Sequence, residues 1–141
     1  MKRSFTSYIS LFLLVFTGCG GGKVPLSGTV TFSDDGSPLT VGYVCFETDT
    51  YLSRGMLSSK GTYNTGSISE KDGIPPGTYR VYISGAMRAI GVDKSGEPVY
   101  ESLIDERFGN GATSGLTVTI PTPNRKFDFR VDRAAASKGR R

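Results

Sequence analysis

The segment DGIPPGTYRVYIS, residues 72–84, places two prolines and a glycine directly before an alternating run of side chains. Pro75 and Pro76 fix an extended approach, and Gly77 permits a turn. After the turn, apolar and more polar positions alternate: Tyr79, Val81 and Ile83 are interleaved with Thr78, Arg80 and Tyr82. Because successive side chains of a strand point to opposite faces, this pattern predicts a rigid loop followed by a central β-strand.

Shorter runs of the same kind occupy much of the remaining chain. They cover residues 26–33, 41–47, 51–58, 61–66, 115–120 and 125–131, and the segments between them are rich in glycine, proline, aspartate and serine. No stretch of about a dozen residues shows the sustained 3.6-residue apolar period of an amphipathic helix. The sequence therefore predicts an all-β fold, and about seven strands at this spacing favour a Greek-key β-sandwich.

The last third of the chain gives two further predictions. Residues 115–120 and 125–131 each carry apolar side chains on one face, and Pro121-Thr122-Pro123-Asn124 lies between them, which predicts a closing hairpin. Residues 85–111 form a long polar connection, and loops of that length are uncommon unless they have a function or local structure of their own.

The N-terminus has the organisation of an export signal. Lys2 and Arg3 precede the apolar run ISLFLLVF at residues 9–16, which is much shorter than the roughly 20 residues of a transmembrane helix. We expect a signal peptide at residues 1–18. The chain that remains has the size of one domain with a modest core.

The charge of the chain is concentrated at its ends. The formal net charge is +4, but Lys2 and Arg3 leave with the signal, and four further cations lie in the last nine residues. The body between them is slightly acidic and has no basic stripe, so no nucleic-acid partner is expected. Residues 133–141 are predicted to be a disordered basic tail unless something holds them.

The residue types present argue against an enzyme. The chain has no histidine, which excludes Ser-His-Asp and Cys-His arrangements and the usual zinc sites, and no cofactor is expected. Of the two cysteines, Cys45 lies in an apolar alternation and is predicted to be a small buried side chain rather than a reactive thiol.

The segment Phe16-Thr17-Gly18-Cys19 resembles the lipobox of bacterial lipoproteins, although Phe16 stands where leucine is usual. The resemblance implies cleavage before Cys19 and lipidation of its thiol, with Gly20-Gly21-Gly22 as a flexible tether. The alternative is an ordinary secretory signal with Cys19 free or disulfide-bonded. Because Gly20 stands where aspartate favours inner-membrane retention in some bacteria, outer-membrane or surface placement is implied.

The order of the segments is similar to that of small planctomycete-type lipoproteins with a transthyretin-like or carboxypeptidase-regulatory-like β-sandwich. The matching pieces are the lipobox cysteine, VPLSGTVTF at 24–32, PPGTYRV at 75–81, and SGLTVTI at 114–120 followed by FDF at 127–129. The family's Thr-Asp-x-x-Gly turn is present only as Ser58-Ser59-Lys60-Gly61, so strand register in 51–66 is uncertain. The expected organisation is a signal at 1–18, a lipidated tether at 19–23, a β-sandwich at 24–132 and a tail at 133–141.

Three functions are compatible with this resemblance. The first is a non-catalytic, membrane-anchored envelope protein with a structural or interaction role toward proteins or glycans. The second is a carbohydrate-binding or accessory module, for which stacking side chains are available at Tyr51, Tyr63, Tyr82 and Tyr100. The third is a transthyretin-like hydrolase, but those enzymes rely on histidines that this chain lacks.

Two smaller hypotheses concern charged segments. Asp93, Ser95 and Glu97 place oxygens on alternate residues, and Asp34 with Asp35 supplies carboxylates elsewhere in the chain. These are weak calcium patterns that ordinary turns explain better. The basic tail has the charge to contact anionic lipids or acidic wall polymers, although a solvated tail is the simpler expectation.

Overall fold

A computed structural model describes residues 22–66 and 72–136 of the chain. The described residues form strands and two short 3₁₀ helices, which confirms the all-β prediction. The strands are β1 Ser27–Phe32, β2 Tyr43–Glu47, β3 Leu52–Met56, β4 Thr62–Asn64, β5 Gly77–Ser84, β6 Met87–Val92, β7 Pro98–Ser102, β8 Leu116–Ile120 and β9 Phe129–Val131. The 3₁₀ helices are Glu106–Gly109 and Pro123–Arg125.

The strands belong to three sheets. A three-stranded sheet has the order β4-β1-β9, in which β1 and β9 run parallel. A four-stranded sheet has the order β3-β2-β5-β8 and is antiparallel throughout. The third sheet is the isolated hairpin β6-β7.

The core lies between the three-stranded and the four-stranded sheets. Phe46 of β2 and Tyr63 of β4 meet there with ring centroids 5.9 Å apart, and Tyr63 also contacts Phe129 of β9 at 6.4 Å. Both sheets contribute fully enclosed apolar side chains, among them Val30, Val44, Phe46, Tyr63, Val81 and Val131. Two sheets packed on a common core are a β-sandwich.

The segment that predicted a central strand forms one. β5 lies between β2 and β8, with Val81 paired to Phe46 on one side and to Leu116 on the other. The preceding proline loop is fastened to this strand, because the Tyr79 hydroxyl donates to the Pro75 carbonyl at 2.8 Å. Alternation also placed β1 correctly, with Val30 and Phe32 buried.

The uncertain register in the middle of the chain is resolved by two pairings. β3 pairs with β2, and Arg54 lies opposite Cys45. β4 leaves that sheet and pairs with β1, where Tyr63 lies opposite Gly28. β3 and β4 are consecutive in sequence but therefore belong to opposite sheets of the sandwich.

The predicted closing hairpin of residues 115–120 and 125–131 is wrong. β8 pairs with β5 in the four-stranded sheet, and β9 pairs in parallel with β1 in the other sheet. Between them, Pro123–Arg125 forms a 3₁₀ turn that carries the chain across the core. Both strands do point apolar side chains inward, but each sheet of a sandwich buries one face, so the pattern did not specify the sheet.

The predicted polar connection at 85–111 contains regular structure. The hairpin β6-β7 occupies residues 87–102, and the turn at its tip includes Gly96 with φ 86°. Downstream, Ile104 and Phe108 are buried and close the end of the core. The segment thus consists of an exposed hairpin followed by a short stretch whose side chains Ile104 and Phe108 pack against the core.

The folded body continues past the predicted boundary between the sandwich and the tail. Arg133 forms a backbone bridge with Ile104, and its guanidinium donates to Asp34 at 2.7 Å and Asp35 at 2.9 Å. The same group lies 3.7 Å from the centroid of the Phe32 ring. The first residue assigned to the tail is therefore held in place, while residues 137–141 lie outside the described residues.

Candidate interaction surfaces

The predicted lipidation site lies just before the described fold. Cys19, the signal peptide at 1–18 and all but the end of the 19–23 tether lie outside the described residues. The fold begins at Val24, which exchanges two backbone hydrogen bonds with Ile74 at 2.8 and 2.9 Å. Lys23 adds an ion pair to Asp72 at 2.7 Å. The first backbone pairing of the sandwich is thus five residues from Cys19 in the sequence.

The oxygens considered for calcium are engaged by their own turns. One carboxylate oxygen of Asp93 accepts hydrogen bonds from the backbone amides of Ser95 at 2.7 Å and Glu97 at 3.0 Å. Within residues 22–66 and 72–136, no three cysteine, aspartate or glutamate side chains are grouped so that they could hold a metal ion. Asp93 acts here as a turn-capping residue.

The turn at residues 34–37 contains a carboxylate, Asp35, whose pKa is lowered from its usual value. The hydroxyl and the backbone amide of Ser37 donate to Asp35 at 2.7 and 2.9 Å, and together with the charge of Arg133 they lower the pKa of Asp35 to about 2. The hydrogen bond to Asp34 raises the pKa of Arg133 in return. This turn fastens the C-terminal segment, and its charges are satisfied within the chain.

The four tyrosines considered for sugar stacking have different environments. Tyr63 is buried, burial raises the pKa of its hydroxyl, and that hydroxyl donates to the Phe127 carbonyl at 2.5 Å. Tyr51 packs edge-on against Tyr79, with centroids 6.1 Å apart, and is half-buried, as is Tyr82. Tyr100, 57% exposed on the β6-β7 hairpin, is the member of the set with a free ring.

A surface that the sequence did not indicate lies on the outer side of the four-stranded sheet. It consists of Tyr43, Leu52, Arg54, Met56 and Tyr82, which we call the outer face. Tyr43, Leu52 and Met56 are 42%, 46% and 57% exposed, and the Arg54 guanidinium lies 5.8 Å from the centroid of the Tyr43 ring. Within β2, Tyr43 is the exposed position beside three buried residues, Val44, Cys45 and Phe46.

Cys45 lies beneath the outer face and is buried, as predicted. It points away from the core side of β2, between its cross-strand neighbours Arg54 and Tyr82. Its sulfur is 3.4 Å from the Ser84 hydroxyl. The thiol is therefore enclosed by side chains of the neighbouring strands β3 and β5.

No helix among residues 22–66 and 72–136 has the length and hydrophobicity needed to cross a bilayer.

No family model matches the chain, and no curated protein matches it. Among solved structures, the major pilin subunit BcpA of Bacillus cereus is similar, with a TM-score of 0.46 and 11% sequence identity. The match covers 81% of this chain and 30% of the pilin, so this chain spans about a third of that protein's length.

Proposed function

We propose that this chain is a non-catalytic lipoprotein of the bacterial cell envelope, anchored through acyl chains on Cys19. On this proposal the β-sandwich is a rigid body, of the transthyretin-like or carboxypeptidase-regulatory-like kind, with a structural or interaction role at the outer membrane or cell surface. Membrane lipid is then its first partner, and a protein or glycan of the envelope is its second.

The observation that carries the proposal is the position of the lipobox-like segment relative to the fold. Phe16-Thr17-Gly18-Cys19 is followed by three glycines, and the first paired residue of the sandwich is Val24. The five residue steps from Cys19 to Val24 span at most about 18 Å when extended. Such a tether would hold the sandwich close to the lipid surface yet leave it free to swivel.

Mass spectrometry of the mature protein tests this proposal. The chain is expressed from Met1 in a Gram-negative host and purified from its membranes, and its N-terminal peptide is analysed. We expect a peptide that begins at Cys19 and carries a diacylglycerol, with or without an amide-linked acyl chain. A peptide that begins at Met1, or an unmodified Cys19 after cleavage, would contradict the proposal.

A second candidate function is carbohydrate binding, and the outer face favours it. Tyr43 presents an exposed ring beside Arg54, with Leu52 and Met56 on the same side of the sheet. An aromatic ring beside hydrogen-bond donors is suited to stacking on a sugar. A glycan array probed with the parent chain and with Tyr43→Ala tests this candidate. Binding that Tyr43→Ala abolishes and Tyr100→Ala retains would support it, and no binding by the parent would remove it.

A transthyretin-like hydrolase is the least supported alternative. Those enzymes rely on histidines, and the 141-residue sequence has none. Incubation of the purified chain with the hydrolases' purine-breakdown substrates gives a direct test, and turnover above the uncatalysed rate would revive this alternative.

A further inference from the structure

The β6-β7 hairpin stands apart from the sandwich. Its strands pair with each other in a sheet of their own, and every residue of β6 is exposed. In β7 all residues are exposed except Glu101, which is half-buried. Isolated two-stranded hairpins are marginally stable in water, so this element needs cover that the described residues do not provide.

The two faces of the hairpin differ in character. Cross-strand partners share a face, and the pairs Met87–Ser102, Ala89–Tyr100 and Val92–Pro98 place five apolar side chains on one side. We call this side the apolar hairpin face. Its largest members, Met87, Val92 and Tyr100, are 52%, 70% and 57% exposed. The opposite side carries the ion pair between Arg88 and Glu101 and one exposed apolar side chain, that of Val99.

A bilayer is a poor occupant for the apolar hairpin face. The tip that would enter the membrane first carries Asp93, Lys94 and Glu97. Charged side chains are costly in the hydrocarbon region. The apolar hairpin face is therefore better suited to packing against another polypeptide than to insertion into a membrane.

The chain's own termini are also unsuited to cover this face. At one end of the sandwich, Gly77 at the start of β5 pairs with Ile120 at the end of β8, and the described chain begins nearby, where Val24 pairs with Ile74. β5 then runs to Ser84 at the opposite end of the sandwich, and the β6-β7 hairpin follows there. The C-terminal residues 137–141, SKGRR, bring no apolar side chain. An apolar face needs apolar cover.

We propose that a second copy of this chain covers the apolar hairpin face, so that two hairpins pack face to face about a two-fold axis. The face is self-complementary in size, because the large ring of Tyr100 lies directly across from the small side chain of Ala89. In a two-fold contact, Tyr100 of each copy fills the space over Ala89 of the other. The polar side with Arg88 and Glu101 then stays in water.

The size of the face sets the strength of this contact. Five apolar side chains a copy are far fewer than the roughly 20–30 residues a side of a stable interface. The pairing is therefore weak in solution, with a dissociation constant between about 10 µM and 1 mM. It goes beyond the proposed anchoring and does not depend on acylation of Cys19, since the hairpin lies outside the tether.

Sedimentation equilibrium of the purified full chain in density-matched mild detergent, over about 10 µM to 1 mM, tests the proposal. The parent is expected to shift from monomer to dimer across this range. Tyr100→Ser, and separately Met87→Ser, are expected to weaken the dimer at least tenfold. Arg88→Gln, on the opposite side of the same hairpin, is the matched control and is expected to dimerise like the parent.

The variants change exposed side chains outside the core, so their urea midpoints are expected to equal that of the parent and confirm a folded sandwich. A parent that stays monomeric across the range would overturn the second copy as occupant. A dimer of unchanged strength in both Tyr100→Ser and Met87→Ser would overturn the hairpin as the interface. These results are independent of the N-terminal peptide, so failure here leaves the anchoring proposal to its own test.

Discussion

Tyr63 reaches across Gly28 to hold the three-stranded sheet together. The two residues are directly paired between β4 and β1, and the Tyr63 hydroxyl passes over Gly28 to donate to the Phe127 carbonyl at 2.5 Å. A Cβ added at Gly28 would lie 2.0 Å from that carbonyl oxygen and 2.6 Å from the hydroxyl. Because Gly28 has no side chain, the hydroxyl of Tyr63 in β4 can reach the Phe127 carbonyl, two residues before β9.

Gly28→Ala is expected to destabilise the fold by about 3 kcal/mol or more, the upper end of the range for overpacked sites, because backbone rather than a flexible side chain would have to move. Urea denaturation of the full chain gives the free energy of unfolding. Gly109→Ala is the control, since an added Cβ there meets nothing within 4 Å. Equal stability of the two variants would show that the close approach at Gly28 is misplaced.

Tyr63→Phe keeps the ring and removes the hydroxyl. The carbonyl of the half-buried Phe127 loses a donor, and we expect a loss of about 1–2 kcal/mol in the free energy of unfolding. Tyr100→Phe, on the exposed hairpin, is expected to change stability by less than about 0.5 kcal/mol. The comparison is made by urea denaturation at neutral pH, and a Tyr63→Phe variant as stable as Tyr100→Phe contradicts the role given to this hydrogen bond.

Stability is expected to fall on acidification between about pH 4 and pH 2 because of Asp35. Its pKa of about 2 in the folded chain lies below the value of about 3.9 for an unfolded chain. The ionised carboxylate therefore stabilises the fold above pH 4, and that contribution is lost as the pH falls through the folded value. The unfolding temperature of Asp35→Asn is expected to depend less steeply on pH across this range than that of the parent. The control is Asp49→Asn, which replaces a side chain that is 91% exposed, and its unfolding temperature is expected to follow that of the parent.

Ser37→Ala tests the cause of that shift. The Ser37 hydroxyl is the largest contributor to the low pKa of Asp35, ahead of the charge of Arg133. Without it, the carboxyl resonance of Asp35 in an NMR titration is expected to titrate at a higher pH than in the parent. An unchanged midpoint would assign the shift to other groups.

The strands were predictable from sequence because alternation is a local property. The run from Gly77 to Ser84 needed no knowledge of its partners to be identified as a strand buried on one side. Strand pairing was less accessible. β8 and β9 both point apolar side chains inward, and in a sandwich the inward faces of opposite sheets have the same pattern, so adjacency in sequence suggested a hairpin that does not exist.

The β6-β7 hairpin and the exposed Tyr43 were not predicted, because neither lies in a run of side chains that alternates between buried and exposed. β6 is exposed on both sides, so burial imposes no alternation on MRAIGV. The turn residues Asp93-Lys94-Ser95-Gly96 between two short runs of strand-forming residues were the available signal for that hairpin. Tyr43 was missed because its neighbours Val44, Cys45 and Phe46 are all buried and hide the outward-facing position in an apolar run.

The most direct test of the proposed anchoring is fractionation of cells that produce the full chain or its Cys19→Ser variant. The parent is expected in the membrane fraction, extractable by detergent but not by high salt. Cys19→Ser is expected to lose the lipid and leave the detergent-extractable pool, while Cys45→Ala, which changes the other cysteine, buried in the sandwich, is expected to partition like the parent. A Cys19→Ser variant that remains in the membrane fraction to the same extent as the parent would contradict lipid anchoring through this residue.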